Sequence, residues 1–593
     1  MSQFESANAT TPGDRRRGVP ATIAGLALAL LLGAGTGPAF AQSALPVETA
    51  PTGAPSADTA QANTAEAEAS SAALPTDPLA MAIARELSTN TTVMLDAAFN
   101  AGSEDELELG ISGFYEGRIF QPLWVTDAGL NPHGEMLLKA FETAAQHALD
   151  PADYDAERLQ AMAGSAAGVD DLATLEVALS NTFVSYANHL TAGRVKPNEV
   201  NKSLNLFPRA PDPAVLLEFV ESGEDFALAL DSLSPNTPNY ARLKTALADY
   251  RNKEKSGGFT VIPDGEALKP GMTDTRLEAL RARLAEQDLF TAGTHAGDVY
   301  DGALVEAVEL FQERHGLAVD GVIGKNTLAE INVPIGTRID QMELNMERRR
   351  WMPDDLGRRY VFVNLADQNL KVVDNDKTIH TTRVVVGKPY HATPVFSDQI
   401  TYAEVNPYWT VPYSIATKEY LPMLQGNPGA LAAKGIRVFS GNREIDPWSV
   451  TWGSYSRRSF PFTLRQDPGE NNALGRIKFM FPNSFNIYIH DTPSKALFAR
   501  AQRSFSHGCI RAEDPFALGE ALLAPDGWDK RKLEAARDTR QRRVIKLATP
   551  LPVHLTYLTA WVNKDGSVHF RRDIYERDKV LAKAIASLRP TDL

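Results

Sequence analysis

The densest run of reactive side chains is Ser504-Phe505-Ser506-His507-Gly508-Cys509-Ile510-Arg511, and Cys509 is the only cysteine in the chain. One thiol cannot close an intrachain disulfide, and it excludes a metal site built from several cysteines. What remains is nucleophilic chemistry, or an inert buried cysteine. An ordinary thiol has a pKa near ~8.5 and is only a few per cent thiolate at neutral pH. Making it mostly thiolate takes roughly 2 kcal/mol of differential stabilisation, which a neighbouring imidazolium can supply. His507 is two residues away, where an extended loop points it the same way without contact. His490 ends the alternating run Phe485–Ile489 on the face of Tyr488, and a chain returning from that strand brings it against Cys509. The spacing therefore predicts His490 as general base and His507 as a neighbour that shapes the site. Gly508 lets the backbone turn sharply and expose the thiol. Asp514-Pro515 opens an apolar-periodic helix through Leu518 and Leu522, with Asp as N-cap and Pro in the first turn. Cys509 is thus expected just before a helix N-terminus, where free N–H groups favour a thiolate and an oxyanion.

These residues need a scaffold. From Tyr360 the apolar period is two: Tyr360, Phe362 and Asn364 alternate with Val361, Val363 and Leu365, and Leu370–Val373 and Thr381–Val386 continue the pattern. A mainly β domain is expected over about 358–556. Residues 414–452 interrupt it with helical and loop-like sequence and three prolines, an insertion able to cover a nearby site. Upstream, 77–256 reads as a helical domain; Leu175, Leu179, Phe183, Tyr186 and Leu190 recur at three- and four-residue steps. His189 lies beside that stripe with no metal spacing around it and reads as a packed or surface histidine. Residues 263–334 form a compact three-helix unit built on Leu277/Leu280/Leu284, Leu304/Val308/Phe311 and Thr327/Leu328/Ile331. The charge run Glu347-Arg348-Arg349-Arg350 closes a following helix and reads as a solvated or salt-bridged face. A C-terminal extension, 557–593, carries an Asp565-Gly566 hairpin signal. The fold class is multidomain α + β.

The first 41 residues show a basic cluster, Arg15–Arg17, an apolar run from Ala21 to Gly33, and Ala39-Phe40-Ala41. That is the three-part pattern of an export signal cleaved after Ala41, with an uncleaved membrane anchor as the rival reading. Residues 42–76 lack aromatics and read as a flexible tether. With 60 basic and 74 acidic residues the formal charge is -14, which argues against non-specific nucleic-acid binding, because that depends on neutralising phosphates.

The pair formed by His490 and Ser506-His507-Gly508-Cys509-Ile510-Arg511 resembles the signature of the L,D-transpeptidases. Phe311-Gln312, His315-Gly316-Leu317, Val319–Gly324 and Asn326-Thr327-Leu328 resemble a peptidoglycan-binding module. Phe114-Tyr115, Pro122-Leu123-Trp124, Leu149-Asp150-Pro151, Asp153-Tyr154 and Gly193-Arg194-Val195 resemble the scaffold domain of the large multidomain branch. Asn406–Trp409 with Val411-Pro412 resembles the segment before that branch's capping insertion. The second histidine is not universal in this branch, which weakens an essential role for His507.

The resemblance implies a peptidoglycan L,D-transpeptidase, an acyltransferase of the cell wall in the periplasm. Cys509 would be the nucleophile, His490 the base and Gly508 a backbone oxyanion donor. Ser506, Arg511, Tyr488 and Trp409 would meet substrate. Cys509 would attack the carbonyl of the third, diamino-acid residue of a tetrapeptide stem and expel D-alanine. A second stem's amine would take the acyl group and form a 3→3 cross-link. A free D-amino acid or a lipoprotein lysine are alternative acceptors. No metal or organic cofactor is implied, and other wall-synthesis enzymes are further implied partners. The rival readings are an L,D-carboxypeptidase using the same thioester, a papain-like peptidase, a non-catalytic wall-binding protein, and a zinc site from His490, His507 and Cys509. The last lacks a fourth ligand pattern.

Overall fold

The computed structural model describes residues 75–89, 104–208, 210–222, 225–290 and 297–588. The expected export segment, 1–41, and all but the last two residues of the tether 42–76 lie outside them. Among the described residues no helix is long and apolar enough to cross a membrane.

The first half is helical. Its central helix, Val169–Ala192, buries Leu175, Leu179, Phe183, Tyr186 and Leu190, the stripe that the period of 3.6 dictates. Glu176 on the same helix is fully buried yet satisfied. It accepts the backbone N–H groups of Leu123, Trp124 and Val125 and the Tyr115 hydroxyl. One carboxylate thereby ties the loop before the Pro132–Glu142 helix to the core. His189 is a packed histidine: its Nδ1 meets the Tyr154 hydroxyl at 2.8 Å, and burial pushes its pKa down to about 3.

The helices Arg276–Ala285, Gly302–Arg314 and Lys325–Ile331 bury Leu277, Leu280, Leu284, Leu304, Val308, Phe311 and Ile331 against one another. Gln312, fully buried, accepts from the Asp320 and Gly321 N–H groups and donates to Asp320 Oδ1 and the Val322 carbonyl. The polar string of this unit therefore builds its own turn.

The helix Ile335–Arg350 corrects one expectation. Glu347, Arg348 and Arg350 are salt-bridged but not solvated. Glu347 and Arg350 pair at 2.9 Å with both side chains fully buried, and Glu347 also accepts the Arg194 N–H. A charge run reads as surface only when nothing covers it, and here the helix Pro238–Lys255 and the C-terminal hairpin pack against it.

Residues from Arg359 form a nine-stranded sheet. Beginning at Lys377–Gly387, the neighbours run Ile510–Ala512, Ile489–His490, Ile477–Met480, Phe396–Val405, Arg543–Thr556, Arg359–Asn364 and Asn369–Asp374. The last of these pairs back onto Lys377–Gly387, so the sheet closes on itself, and Ser504–Ser506 adds to the same strand in parallel. Val361, Val363, Val384, Ala403, Ile489, Ile510 and Val553, all fully buried, fill its interior. The insertion has a core of its own: Trp409, Leu421, Leu424, Leu431, Val438, Trp452 and Leu464 pack between short helices and a four-stranded antiparallel sheet.

The C-terminal extension is not peripheral. Ala560–Val562 and Val568–Phe570 form the hairpin that Asp565-Gly566 predicts. Phe570 is fully buried against Tyr250 and Ile335, and its ring lies 5.7 Å from that of His315.

Candidate active site

Strand register assembles the site. Ile489 pairs with Ile510 and His490 with Arg511 in a parallel ladder, and the Ile510 N–H donates to the Tyr488 carbonyl at 3.1 Å. Residues two apart on a strand share a face. Tyr488, His490, Cys509 and Arg511 therefore stand on one face of two adjacent strands. The rings of Tyr488 and His490 are 5.6 Å apart.

The thiol is half-buried. Its sulfur lies 3.6 Å from the Asn486 carbonyl, to which it donates. Burial raises its pKa to about 11, while hydrogen bonds from Tyr488 and the charges of Arg511 and Lys478 pull the other way. His490 is 4% exposed. Its Nδ1 lies 2.5 Å from the Asp491 carbonyl, so Nδ1 carries the proton and Nε2 keeps its lone pair. Burial and the Arg511 charge push its pKa down to about 3. The resting pair is thus a neutral thiol and a neutral imidazole. Both shifts oppose moving the proton from sulfur to nitrogen in this state. A pre-formed ion pair, the arrangement that the thiolate argument favoured, is not the ground state here. His490 lies diagonal to Cys509 on the neighbouring strand and makes no hydrogen bond to the sulfur among the described residues.

Several expectations change. The strand expected over Phe485–Ile489 shrinks to Ile489–His490, because Asn486 sits at φ +56° and Asn483 folds the segment back on itself. Asn483 Oδ1 accepts the Phe485 and Ile487 N–H groups, and its amide donates to the Phe481 and Ile487 carbonyls. That turn aims the Asn486 carbonyl at the sulfur. Cys509 does not abut a helix N-terminus. The strand Ile510–Ala512 intervenes before the helix Pro515–Leu523, whose field reaches only about its first turn.

Gly508 stands at φ +121°, and an added Cβ would come within 3.2 Å of Ile487, so glycine is required. Its N–H, expected to hold an oxyanion, is already donated to Ser506 Oγ at 3.0 Å. Ser506 is 1% exposed, and its hydroxyl also donates to the Cys509 carbonyl at 2.6 Å. It clamps the turn, with its hydroxyl taken up by backbone partners. Trp409, also expected to meet substrate, is buried in the insertion's core with its ring 6.3 Å from that of Tyr420. The Cys509 N–H has no partner among the described residues and is the backbone donor left free at the nucleophile.

Arg511 pairs with His490 in the ladder. Its Nε is buried without a partner, and no carboxylate pairs with it among the described residues. Tyr488 lies on the seam between the sheet interior and the insertion core, half-buried against both. His507 points outward: its Nε2 meets Glu419 Oε1 at 2.7 Å, and Glu419 belongs to the insertion segment Ala416–Tyr420. The His391 ring stands 5.3 Å from that of His507. Sequence reasoning passed over Asn486, Glu419, His391 and Thr393. None of these carries a local signal; each reaches the site through long-range pairing. No cluster of three potential metal-ligating side chains occurs among the described residues.

Residues 358–526 match the L,D-transpeptidase catalytic domain, 110–247 the scaffold domain, and 273–331 the family described as "Putative peptidoglycan binding domain". By these matches residues 358–526 are an L,D-transpeptidase catalytic domain, carried behind a scaffold domain and a peptidoglycan-binding domain. A curated protein of Haemophilus influenzae named "Putative L,D-transpeptidase" is 29% identical over 281 residues, which is 46% of this chain and 56% of that protein. The chain thus spans about half the length of this relative. The N-acetylmuramoyl-L-alanine amidase CwlM of Mycobacterium tuberculosis is 35% identical over 86 residues, 13% of this chain and 21% of its own length. Among solved structures, an L,D-transpeptidase fragment from Xylanimonas cellulosilytica is 16% identical and covers 49% of this chain and 98% of its own, with a TM-score of 0.17. An L,D-transpeptidase from Stackebrandtia nassauensis is also 16% identical, covering 50% and 96%, with a TM-score of 0.19. In this transpeptidase domain, the Cys509 loop and the His490 strand both fall inside the matched segment.

Proposed function

We propose that the chain is a peptidoglycan L,D-transpeptidase of the cell envelope, acting through Cys509. The observation that carries the reading is the shared face of Tyr488, His490, Cys509 and Arg511, with the chain's only thiol beside an unpaired guanidinium. Substrate is a tetrapeptide stem whose carboxylate meets Arg511, a charge-assisted contact that an unpaired, partly buried Arg is suited to make. The sulfur attacks the carbonyl of the third residue while its proton passes to His490 Nε2. Nδ1–H stays on the Asp491 carbonyl and fixes the tautomer. The oxyanion takes the free Cys509 N–H.

Collapse breaks the amide bond. D-alanine leaves as an amine, taking the proton from His490, and a thioester remains. The acceptor amine of a second stem attacks that thioester and gives its proton to His490. The tetrahedral adduct expels the thiolate, which is reprotonated, and a 3→3 amide results. Because the resting proton transfer is so unfavourable, attack and proton transfer are concerted on bound substrate. The insertion covers the site through the Glu419–His507 contact and keeps water from the thioester.

The test is mass analysis of products from the full chain incubated with tetrapeptide-stem muropeptide, beside Cys509→Ala. A dimer one alanine lighter than two monomers, absent with the variant, is the expected result. Tripeptide monomer alone would make the chain a carboxypeptidase. No Cys509-dependent change would remove the assignment.

A further inference from the structure

The register that sets His490 beside Arg511 continues across the sheet. Lys478 pairs with His490, Glu404 with Lys478, and Val544 with Glu404. One row along the same face, Met480 lies opposite Tyr402 and Tyr402 opposite Lys546. Directly paired residues share a face of a sheet. These side chains therefore stand on the face that carries Tyr488, His490, Cys509 and Arg511, while Phe479, Ala403 and Ile545 fill the interior. The reactive face is thus a shelf five strands wide, from Ile510–Ala512 to Arg543–Thr556. At ~4.8 Å per strand it extends about 19 Å from the strand after the thiol. It opens with distance from the thiol: Met480 and Tyr402 are half-buried, and Val544 and Lys546 are exposed.

The shelf is one-sided in charge. Buried Glu404 is shared by two cations, with Lys478 Nζ 3.2 Å from Oε2 and Arg542 Nε 2.5 Å from Oε1. Lys478 also lies 5.8 Å over the Tyr488 ring. Lys546 and Arg511 have no ion-pair partner among the described residues. Four cations thus meet one carboxylate here, on a chain of net charge -14. A surface of that sign holds anions. It also disfavours an ammonium, because nearby positive charge lowers the pKa of an amine. An amine that attacks a thioester needs a free lone pair. The cations that hold a carboxylate also keep the neighbouring amine neutral.

We propose that this shelf receives the acceptor, and that Lys546 and the Lys478–Glu404–Arg542 group select amines that carry a carboxylate, the class to which a peptide stem belongs. The proposal rests on the thioester chemistry at Cys509. An extended four-residue stem spans about 13 Å. Its amine stands at the thioester while a carboxylate of the same stem lies over the outer shelf. Arg511, which meets the donor's carboxylate, lies on the other side of His490 from Lys478, so the two stems approach from different sides. The amine nitrogen bonds to the acyl carbon, the C–S bond breaks, and the amine's proton passes through His490 to the departing thiolate.

The experiment gives the full chain a tetrapeptide-stem muropeptide as donor and a tripeptide-stem muropeptide, which has no D-alanine to lose, as acceptor. The parent is compared with Lys546→Glu, Lys546→Ala and Lys546→Arg. At low salt the Glu variant should raise KM for the acceptor about fivefold, Ala should fall between, and Arg should stay near the parent. The maximal rate of cross-linking should hold. Acylation of Cys509 by the donor, followed as a mass adduct, precedes the acceptor's arrival and should be equal in all four proteins. The differences should vanish in about 1 M salt, where charges are screened beyond ~3 Å. They should also vanish with an acceptor whose carboxylates are amidated. Melting temperatures should match, since Lys546 is exposed. Equal acceptor KM in the four proteins at low salt, or the same Lys546 effect on the amidated acceptor, would overturn the shelf while leaving the transpeptidase reading intact. A parent that forms no adduct with the donor would overturn the proposed function, and the shelf with it.

Discussion

The Thr393 hydroxyl donates to the Gly508 carbonyl at 2.7 Å, so a fully buried threonine 115 residues upstream fixes the residue before the nucleophile. The same oxygen accepts the Gly387 N–H at 3.0 Å. Behind it stands the C-terminal extension: the Tyr575 hydroxyl donates to the Gly387 carbonyl at 2.7 Å, and Arg577 donates to the Thr393 carbonyl at 2.9 Å. Gly387 has no room for a side chain, since a Cβ would fall 2.0 Å from the His391 carbonyl. The turn at Cys509 is thereby anchored from a strand, a loop and the tail of the chain at once.

Replacing Thr393 by Val keeps the volume and leaves a buried carbonyl and a buried N–H unpaired. Each costs about 1–3 kcal/mol, so stability should fall by roughly 2–6 kcal/mol. Below the melting temperature, kcat should fall at least about tenfold while KM changes little, because the turn and not the substrate contact is loosened. Thr393→Ser restores the hydroxyl and should recover most of kcat. Thermal melts and steady-state kinetics on the three proteins check this. A Val variant with native kcat would show that the Gly508 carbonyl needs no anchor.

The thiol makes a second prediction. With Cys509 raised to about 11 by burial, the thiolate fraction should climb tenfold per pH unit up to that value. Alkylation of Cys509 by iodoacetamide should therefore be slower at pH 8 than for a free thiol of pKa near ~8.5, and should still be rising at pH 10. A rate that levels off near pH 7 would mean an ion pair with His490 and would sink the neutral resting state.

How much of this was legible in the sequence depends on the range of the interaction. The helix periods of Leu175–Leu190 and the strand alternation after Tyr360 are local, and the structure follows them. The reactive face was legible as far as the alternation of Tyr488 and His490 reached. Asn486 was not, because a residue at positive φ inside an apolar-alternating run looks like one more strand position. Ser506 and Trp409 were named by resemblance, and only packing shows the one held inside a turn and the other inside a core. Thr393 and Glu419 carry no spacing signal at all, since the closure of the sheet and the fold of the insertion bring them in. The Arg348–Arg350 run shows the converse, a charged sequence buried by partners that are distant in the chain.

Acid should destabilise the protein steeply. His147, His189 and His490 are each held neutral, with burial pushing the pKa to about 3 from an ordinary value near 6.5. Above pH 6.5 neither the folded nor the unfolded chain binds these protons, and stability is unaffected. As pH falls from 6.5 towards 3, the unfolded chain takes up three protons that the folded chain refuses. Stability should then drop by roughly 1.4 kcal/mol per pH unit for each group, about 4 kcal/mol per unit together. His315 and His569, also lowered by burial, add to this slope; melts at pH 7.5, 6 and 5 at constant ionic strength measure it, and His189→Gln should make it shallower by about 1.4 kcal/mol per pH unit. A melting temperature that is flat from pH 7.5 to 5 would contradict the buried neutral state.

The insertion gives the last prediction. Glu419 reaches from the segment Ala416–Tyr420 to His507 at 2.7 Å, with both side chains partly exposed. An exposed pair of this kind contributes only about 0–1 kcal/mol, so Glu419→Ala should leave the melting temperature nearly unchanged. Its effect should appear in the partition of the thioester. With the contact gone, the insertion opens more often, water reaches the acyl-enzyme, and tripeptide product should rise severalfold relative to cross-linked dimer at equal turnover. Glu419→Gln keeps a hydrogen-bond acceptor for His507 and should partition between the two. Mass analysis of product ratios at matched acceptor concentration decides it. If Glu419→Ala cross-links as cleanly as the parent, the insertion excludes water through contacts other than this one, and the packing of Tyr488 against its core becomes the element to test.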